Sequence, residues 1–189
     1  LGTLSLNTDA DSTHPEYWLE ILVQYQEQTQ AQFIAAPVVY LTKNQLLSVF
    51  QCLDFMTMQG IPGAAVFKRF HSMCNGANLA YTKAAFEAVN GFAGIDKLPT
   101  GDDMLLMHKI YKQHPQQVVY LKSQEAIVST HPAYSWKEFF NQRISWASKA
   151  THYDDKRIFA TLLLGYIFSV WFVVLAVAAF FPWTWRVVP

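Results

Sequence analysis

The chain has 189 residues, with 14 basic and 14 acidic side chains and a formal net charge of zero. That balance provides no basic field to hold a nucleic acid, and the length suits about one domain plus an anchor. The two cysteines, Cys52 and Cys74, lie far apart with no metal-ligand spacing, which argues against a zinc site and a disulfide scaffold and for reduced, cytosol-facing thiols.

An apolar run from Leu1 to Leu6 reads as a strand that ends at Thr8-Asp9-Ala10-Asp11. Two carboxylates one residue apart make a compact hard-oxygen site, suited to Mg²⁺ or Mn²⁺ if a substrate diphosphate supplies the other ligands. The ordinary alternative for such a turn is a capping loop. Thr13-His14-Pro15-Glu16 has the pattern of a capping box, opening a helix with Trp18, Leu19, Leu22, Val23 and Tyr25 on its apolar faces. Gln-rich polarity from Gln24 to Gln32 is expected to end it. Phe33 to Tyr40, short and uncharged, reads as one buried strand. Leu46 to Met58 has helical spacing and is expected to break at Gly60, Pro62 and Gly63.

Met73 to Tyr81 reads as strand and turn through Cys74-Asn75-Gly76-Ala77-Asn78. Thr82 caps a helix that runs through Val89 and stops at Asn90-Gly91. After a loop from Lys97 to Gly101, Asp102 and Asp103 open a helix, Met104 to Gln113, which Pro115 ends. Val118 to Leu121 and Ala126 to Thr130 read as short strands. Strands alternating with helices predict an α/β layered fold.

Ser135-Trp136-Lys137-Glu138 is a second capping box. Its helix carries Trp136, Phe139, Phe140, Ile144 and Ala147 on one broad face, which packs on the domain or lies in a membrane interface. Residues 158–181 contain no charged side chain. As a helix they would reach about 36 Å, enough to cross a bilayer core. Lys149, Lys156 and Arg157 precede this run and Arg186 follows it, which predicts a cytoplasmic domain before the span. The expected organisation is a catalytic part over 1–134, an amphipathic helix and linker over 135–157, a transmembrane helix over 158–181 and a tail over 182–189. Starting at Leu1 without Met and stopping just after the apolar run, the chain is expected to be a C-terminal fragment of a larger protein.

In order along the chain stand Asp9 and Asp11, the Asn75-Gly76-Ala77-Asn78 turn, Phe86-Glu87-Ala88-Val89-Asn90-Gly91-Phe92, Gly101-Asp102-Asp103, and Gln142-Arg143 with Trp146. In this order and spacing the chain resembles the membrane-linked glycosyltransferases of family 2, in the cellulose-synthase-like and ceramide-glucosyltransferase-like group. The resemblance implies the C-terminal part of a GT-A fold, the α/β nucleotide-diphospho-sugar transferase fold, followed by a transmembrane helix. It implies an inverting transfer of sugar from a nucleotide-diphosphate donor to a sugar or lipid hydroxyl acceptor at the cytoplasmic membrane face. Asp9 and Asp11 would hold the donor and a Mg²⁺ or Mn²⁺ ion, Asp11 more directly. Asp103 would be the base, with Asp102 positioning it or the acceptor. Gln142-Arg143-Ile144-Ser145-Trp146 resembles the family's Gln-x-x-Arg-Trp motif at Gln142 and Trp146, but Ser145 stands where the arginine is expected and Arg143 lies two positions away, which weakens the implication of processive polymer synthesis. Arg143 would contact the diphosphate, and Gln142, Trp146, Asn75 and Gly76 the acceptor. His71, His108 and His131 are read as structural. Two rival readings use the same residues: a membrane-bound phosphoryl transferase or hydrolase with Asp9, Asp11, Asp102 and Asp103 around two metals, and a non-catalytic membrane interaction module.

Overall fold

The structure, a computed structural model, describes residues 2–42, 44–67, 74–95 and 101–149, and beyond them Leu163, Leu164, Tyr166, Ile167, Phe168, Val170, Trp171, Val174, Leu175 and Ala178. The chain divides into two units, Leu1–Lys149 and Ala150–Pro189. In the second unit the described residues are helical, and those from 163 to 175 are exposed. Among the described residues no helix is long and apolar enough to cross a membrane; most of the expected span over 158–181 lies outside them.

The first unit is a mixed α/β fold. Strands β1 (Leu4–Asn7), β2 (Phe33–Ala35), β4 (Leu79–Thr82) and β5 (Val118–Tyr120) form a sheet in the order β1-β4-β2-β5. Strand β4 runs antiparallel to β1 and β2, while β2 and β5 are parallel. A second pair, β3 (Val38–Tyr40) and β6 (Val128–Thr130), is parallel. The pleat sends successive side chains of β2 to opposite faces. Phe33 and Ala35 join Leu106, Met107 and Ile110 of helix α4 (Asp102–Gln113) on one side. Ile34 joins Leu22 of α1 (Trp18–Thr29) on the other. An uncharged strand is what a sheet covered on both faces requires. Helices α2 (Leu46–Phe67), α3 (Lys83–Ala88) and α5 (Trp136–Lys149) complete the unit, so α5 belongs to the same compact body as the strands.

Several local expectations change. The run from Phe33 to Tyr40 is two strands, because the chain switches sheets at Ala36-Pro37. Helix α2 continues through Gly60, Pro62 and Gly63 to Phe67. Tertiary packing outweighs propensity there: Pro62 is buried, Gly63 lies against the Tyr120 ring, and Val66 enters the core. The Gln-rich segment stays helical to Thr29 and turns off at Gln30, whose φ is 53°. Thr13 caps nothing; α1 starts after Tyr17 with no side-chain cap, and the Thr13 backbone instead bridges to Ser129, with N–H to O distances of 2.7 and 2.9 Å. Two caps form close to the expected pattern. Thr82 Oγ1 accepts from the Ala85 N–H, and Ser135 Oγ accepts from the Glu138 N–H while Glu138 reaches back to the Tyr134 N–H.

The layers meet at Asn78, which is fully buried. Its Nδ2 donates to the carbonyls of Pro37 and Ala126, each at 2.8 Å, and its Oδ1 accepts from Trp18 Nε1 at 3.0 Å. Its backbone N–H donates to the Asn75 carbonyl and its own carbonyl accepts from the Ala36 N–H. A buried amide satisfied this fully is costly to remove, because each partner is left without water. Asn78→Ala is expected to lower the unfolding free energy by about 3 kcal/mol, read from the denaturant midpoint of the purified protein.

Candidate active site

The acidic loop grows from the end of β1. Ser12 N–H closes a turn on the Asp9 carbonyl at 3.1 Å, and the Thr13–Ser129 bridge pins the far side of the loop to β6. Beside it, Thr130 Oγ1 donates to Asp11 Oδ2 at 3.5 Å. Thr8 Oγ1 pairs with His14 Nε2, and the His14 ring lies 4.4 Å from that of Trp18. The loop is thus tied to β6 on one side and to α1 on the other.

Antiparallel pairing of β1 with β4 sets Asn7 opposite Leu79, so the end of β1 lies beside the turn that opens β4. Asn7 Nδ2 donates to the Gly76 carbonyl at 3.1 Å. In the turn, Asn75 Oδ1 accepts from the Ala77 N–H at 3.0 Å, so part of the Asn75 side chain shapes the backbone. Gly76 is where the second acidic cluster arrives. A Cβ placed on it would lie 2.7 Å from Asp103 Oδ2, so only glycine admits the carboxylate this closely. Asp103 sits in the first turn of α4, whose N-terminal cap is Gly101 with a φ of 91°. It also faces Cys74, whose thiol is pushed well up by burial and then by the Asp103 charge. Asp102 is exposed, and its charge adds to the burial that raises the Tyr81 phenol.

The third cluster joins from the other side. Tyr40 is the β3 partner of Thr130 and donates its hydroxyl to Gln142 Oε1 at 3.4 Å. Burial raises the Tyr40 phenol against the opposing pull of Arg143. Trp146 packs on Phe55 and on the cluster of Val38, Tyr40 and Ala77. Arg143 forms an ion pair with Asp54 of α2, donates to Met58 Sδ at 3.0 Å, and lies 4.8 Å from the Phe139 ring centroid and 4.4 Å from that of Trp146. Its charge is therefore met within the protein by α2.

Asp11 thus reaches Gln142 through Thr130 and Tyr40, and the Asp9–Asp11 loop reaches Asp103 through Asn7 and Gly76. Asn7, Tyr40 and Thr130 carry these links and Asp54 engages Arg143; none of the four was singled out from the sequence. Asn7 had one signal, an amide at a strand end next to the acidic loop; the others have none that a single sequence displays. Among the described residues, no three His, Cys, Asp or Glu side chains gather to hold a metal by themselves. Asp9 and Asp11 nevertheless fit a divalent cation whose remaining ligands come from a substrate. They are hard oxygen donors, and Asp11 lies close enough for its charge to disfavour ionisation of Asp9. In the same turn the Ser12 hydroxyl is buried without a hydrogen-bond partner.

Asp9 is held above the ordinary carboxylate range by desolvation first and the Asp11 charge second. Folding therefore favours its protonated form. That contribution is complete below the ordinary carboxylate pKa and is lost as pH rises through the raised folded value. Asp9→Asn is expected to raise the melting temperature at neutral pH and to leave it nearly unchanged in acid. Thermal melts across pH check this.

A comparison with curated proteins finds no match. The family described as Glycosyl transferase family group 2 matches residues 6–189, a span that contains all three clusters and nearly the whole chain. Its α/β layers are consistent with the GT-A architecture, and the chain belongs to glycosyl transferase family group 2, transferases that move a sugar from a nucleotide-sugar donor to an acceptor.

Proposed function

We propose that this chain carries the metal-binding and acid-base part of an inverting glycosyltransferase anchored at the cytoplasmic face of a membrane. The observation that carries the reading is the contact of Asp103 with Gly76, whose carbonyl is bound by Asn7 at the root of the Asp9–Asp11 loop. That contact supports one cleft with a carboxylate pair on one wall and a candidate base on the other.

Asp103 accepts the proton of the acceptor hydroxyl as that oxygen bonds to the anomeric carbon. The bond from this carbon to the diphosphate oxygen breaks, and the nucleoside diphosphate leaves. One displacement inverts the anomeric centre, so a single carboxylate suffices. Asp102 orients the acceptor or Asp103 at the same helix end. Family members typically use a divalent metal. Here Asp9 and Asp11 would hold Mg²⁺ or Mn²⁺, which supplies charge stabilisation to the departing diphosphate when bound. Gln142, Trp146, Asn75 and Gly76 contribute the acceptor side. Arg143, engaged by Asp54, acts by fixing Trp146 more than by contacting the diphosphate. The anchor rests on the charge-free run 158–181, and the cytoplasmic orientation on Lys149, Lys156 and Arg157 ahead of it. A two-metal phosphoryl transferase needs the four aspartates gathered around its ions, and no observation favours that arrangement.

Asp103→Asn is expected to abolish sugar transfer while donor binding stays near wild type, measured by product formation beside calorimetric titration of the donor. Retained turnover would remove Asp103 as the base. Asp11→Ala is expected to weaken Mn²⁺-dependent binding of the nucleoside diphosphate by at least about tenfold, in line with the loss of a ligand's charge. Unchanged affinity with unchanged metal dependence would refute the metal assignment.

A further inference from the structure

The parallel pairing of β3 with β6 sets Tyr40 opposite Thr130 at the last rung of the second sheet. Register partners carry their side chains to the same face, so two hydroxyls stand at one ladder position. They serve different clusters. Thr130 Oγ1 donates to Asp11 Oδ2 at 3.5 Å, and the Tyr40 hydroxyl donates to Gln142 Oε1 at 3.4 Å. The backbone beneath them is fixed, because the Leu41 N–H continues the ladder to the Thr130 carbonyl at 2.8 Å. The Tyr40 ring is buried and stacks on Phe55 with centroids 4.2 Å apart, and the Tyr40 carbonyl accepts from Cys52 Sγ at 3.7 Å. Burial also holds the phenol above its ordinary pKa, so it remains a hydrogen-bond donor at neutral pH. Asp11 is exposed and Gln142 half-buried, so each side chain would sample several rotamers without a hydroxyl to hold it.

We propose that Tyr40 and Thr130 are paired positioning residues, one rung of sheet that aims the acceptor-side amide of Gln142 and the metal-side carboxylate of Asp11. The proposal rests on the roles read for those two residues and deepens them by naming the atoms that meet the ligands. A glutamine side chain has one acceptor oxygen and two N–H donors. With Oε1 turned to the phenol, Gln142 presents Nε2 to the acceptor. It therefore recognises a lone pair on an acceptor oxygen and not a hydroxyl proton. That leaves the hydroxyl proton for a base to take, as the transfer requires. On the other side, the bond from Thr130 to Oδ2 leaves Oδ1 of Asp11 to meet a divalent cation. A carboxylate held by such an outer hydrogen bond binds metal more tightly than one that turns freely. Neither hydroxyl touches the reacting atoms. Because both belong to one ladder position, the two clusters are tied to each other through main-chain pairing.

Two variants remove one hydroxyl each, Thr130→Val and Tyr40→Phe. Both are studied in the full-length protein in lipid nanodiscs by calorimetric titration with two probes. One is Mn²⁺–pyrophosphate, a diphosphate without a base; the other is hexyl β-glucoside, whose sugar hydroxyls sit on an alkyl chain. Thr130→Val is expected to weaken Mn²⁺–pyrophosphate binding about tenfold and to leave the glucoside unchanged, with Thr130→Ser restoring the affinity. Tyr40→Phe is expected to weaken glucoside binding about fivefold and to leave Mn²⁺–pyrophosphate unchanged. Gln142→Glu keeps an oxygen facing Tyr40 and loses the donors, so it is expected to bind the glucoside as weakly as Gln142→Ala. A lowered melting temperature with both affinities intact would reduce the hydroxyls to structural parts and overturn the proposal, as would loss of both affinities in either variant. Wild-type glucoside affinity in Gln142→Glu would overturn the assignment of Nε2. Asp11→Ala and Gln142→Ala separate the two levels. If neither alters the binding of its probe, the roles read for Asp11 and Gln142 fall and the proposal falls with them. If both do while the hydroxyl variants match wild type, the proposal alone is overturned.

Discussion

The buried carboxamide of Asn78 is the constraint on which the arrangement of this domain depends. It bonds at once to an indole from the layer on one face, to the carbonyl at the sheet-switching proline, and to the end of the short helical turn before β6. Each partner lies in a different part of the sequence, so no local preference could bring them together. Apolar packing alone would tolerate small slips between the layers, because dispersion and burial are weakly directional. A fully satisfied buried amide does not, since every displacement leaves a polar group without a partner or water. The turn that presents Asn78 also presents Gly76, so the element that locks the layers fixes the place where Asp103 meets Gly76.

That coupling gives the carboxylates their particular environments. Asp9 is made harder to ionise by desolvation and by its neighbour's charge. A cation arriving with a diphosphate would relieve the repulsion, so a loop that is electrostatically costly when empty is suited to occupancy. Asp103, by contrast, stands in the first turn of α4, where the helix end favours negative charge. The two acid groups thus owe their environments to different causes.

Elements governed by short-range chemistry were legible in the sequence. Thr82 caps its helix, the Asn90-Gly91 stop falls where expected, and Asp102 and Asp103 open α4. The sequence misled where packing across the chain prevailed over local preference. Pro62 and Gly63 read as breakers, yet burial against the sheet carries α2 through them. Thr13 reads as a cap, yet its backbone finds a strand more than a hundred residues away. The site divides in the same manner. Its motifs were visible as ordered clusters, but the contacts that join them run through Asn7, Thr130 and Tyr40, residues of ordinary type whose roles exist only once the strands pair. Arg143 shows the reverse: a residue conspicuous by motif whose charge is taken up by Asp54, an acid with no motif of its own.

The clamp between Thr13 and Ser129 is made entirely of main-chain groups. It is therefore indifferent to what either residue carries outward, and only a ring on the nitrogen would undo it. The rim of the acidic loop can be redecorated for size or polarity without loosening its mooring, so what the loop presents outward can change while the backbone that holds it stays in place.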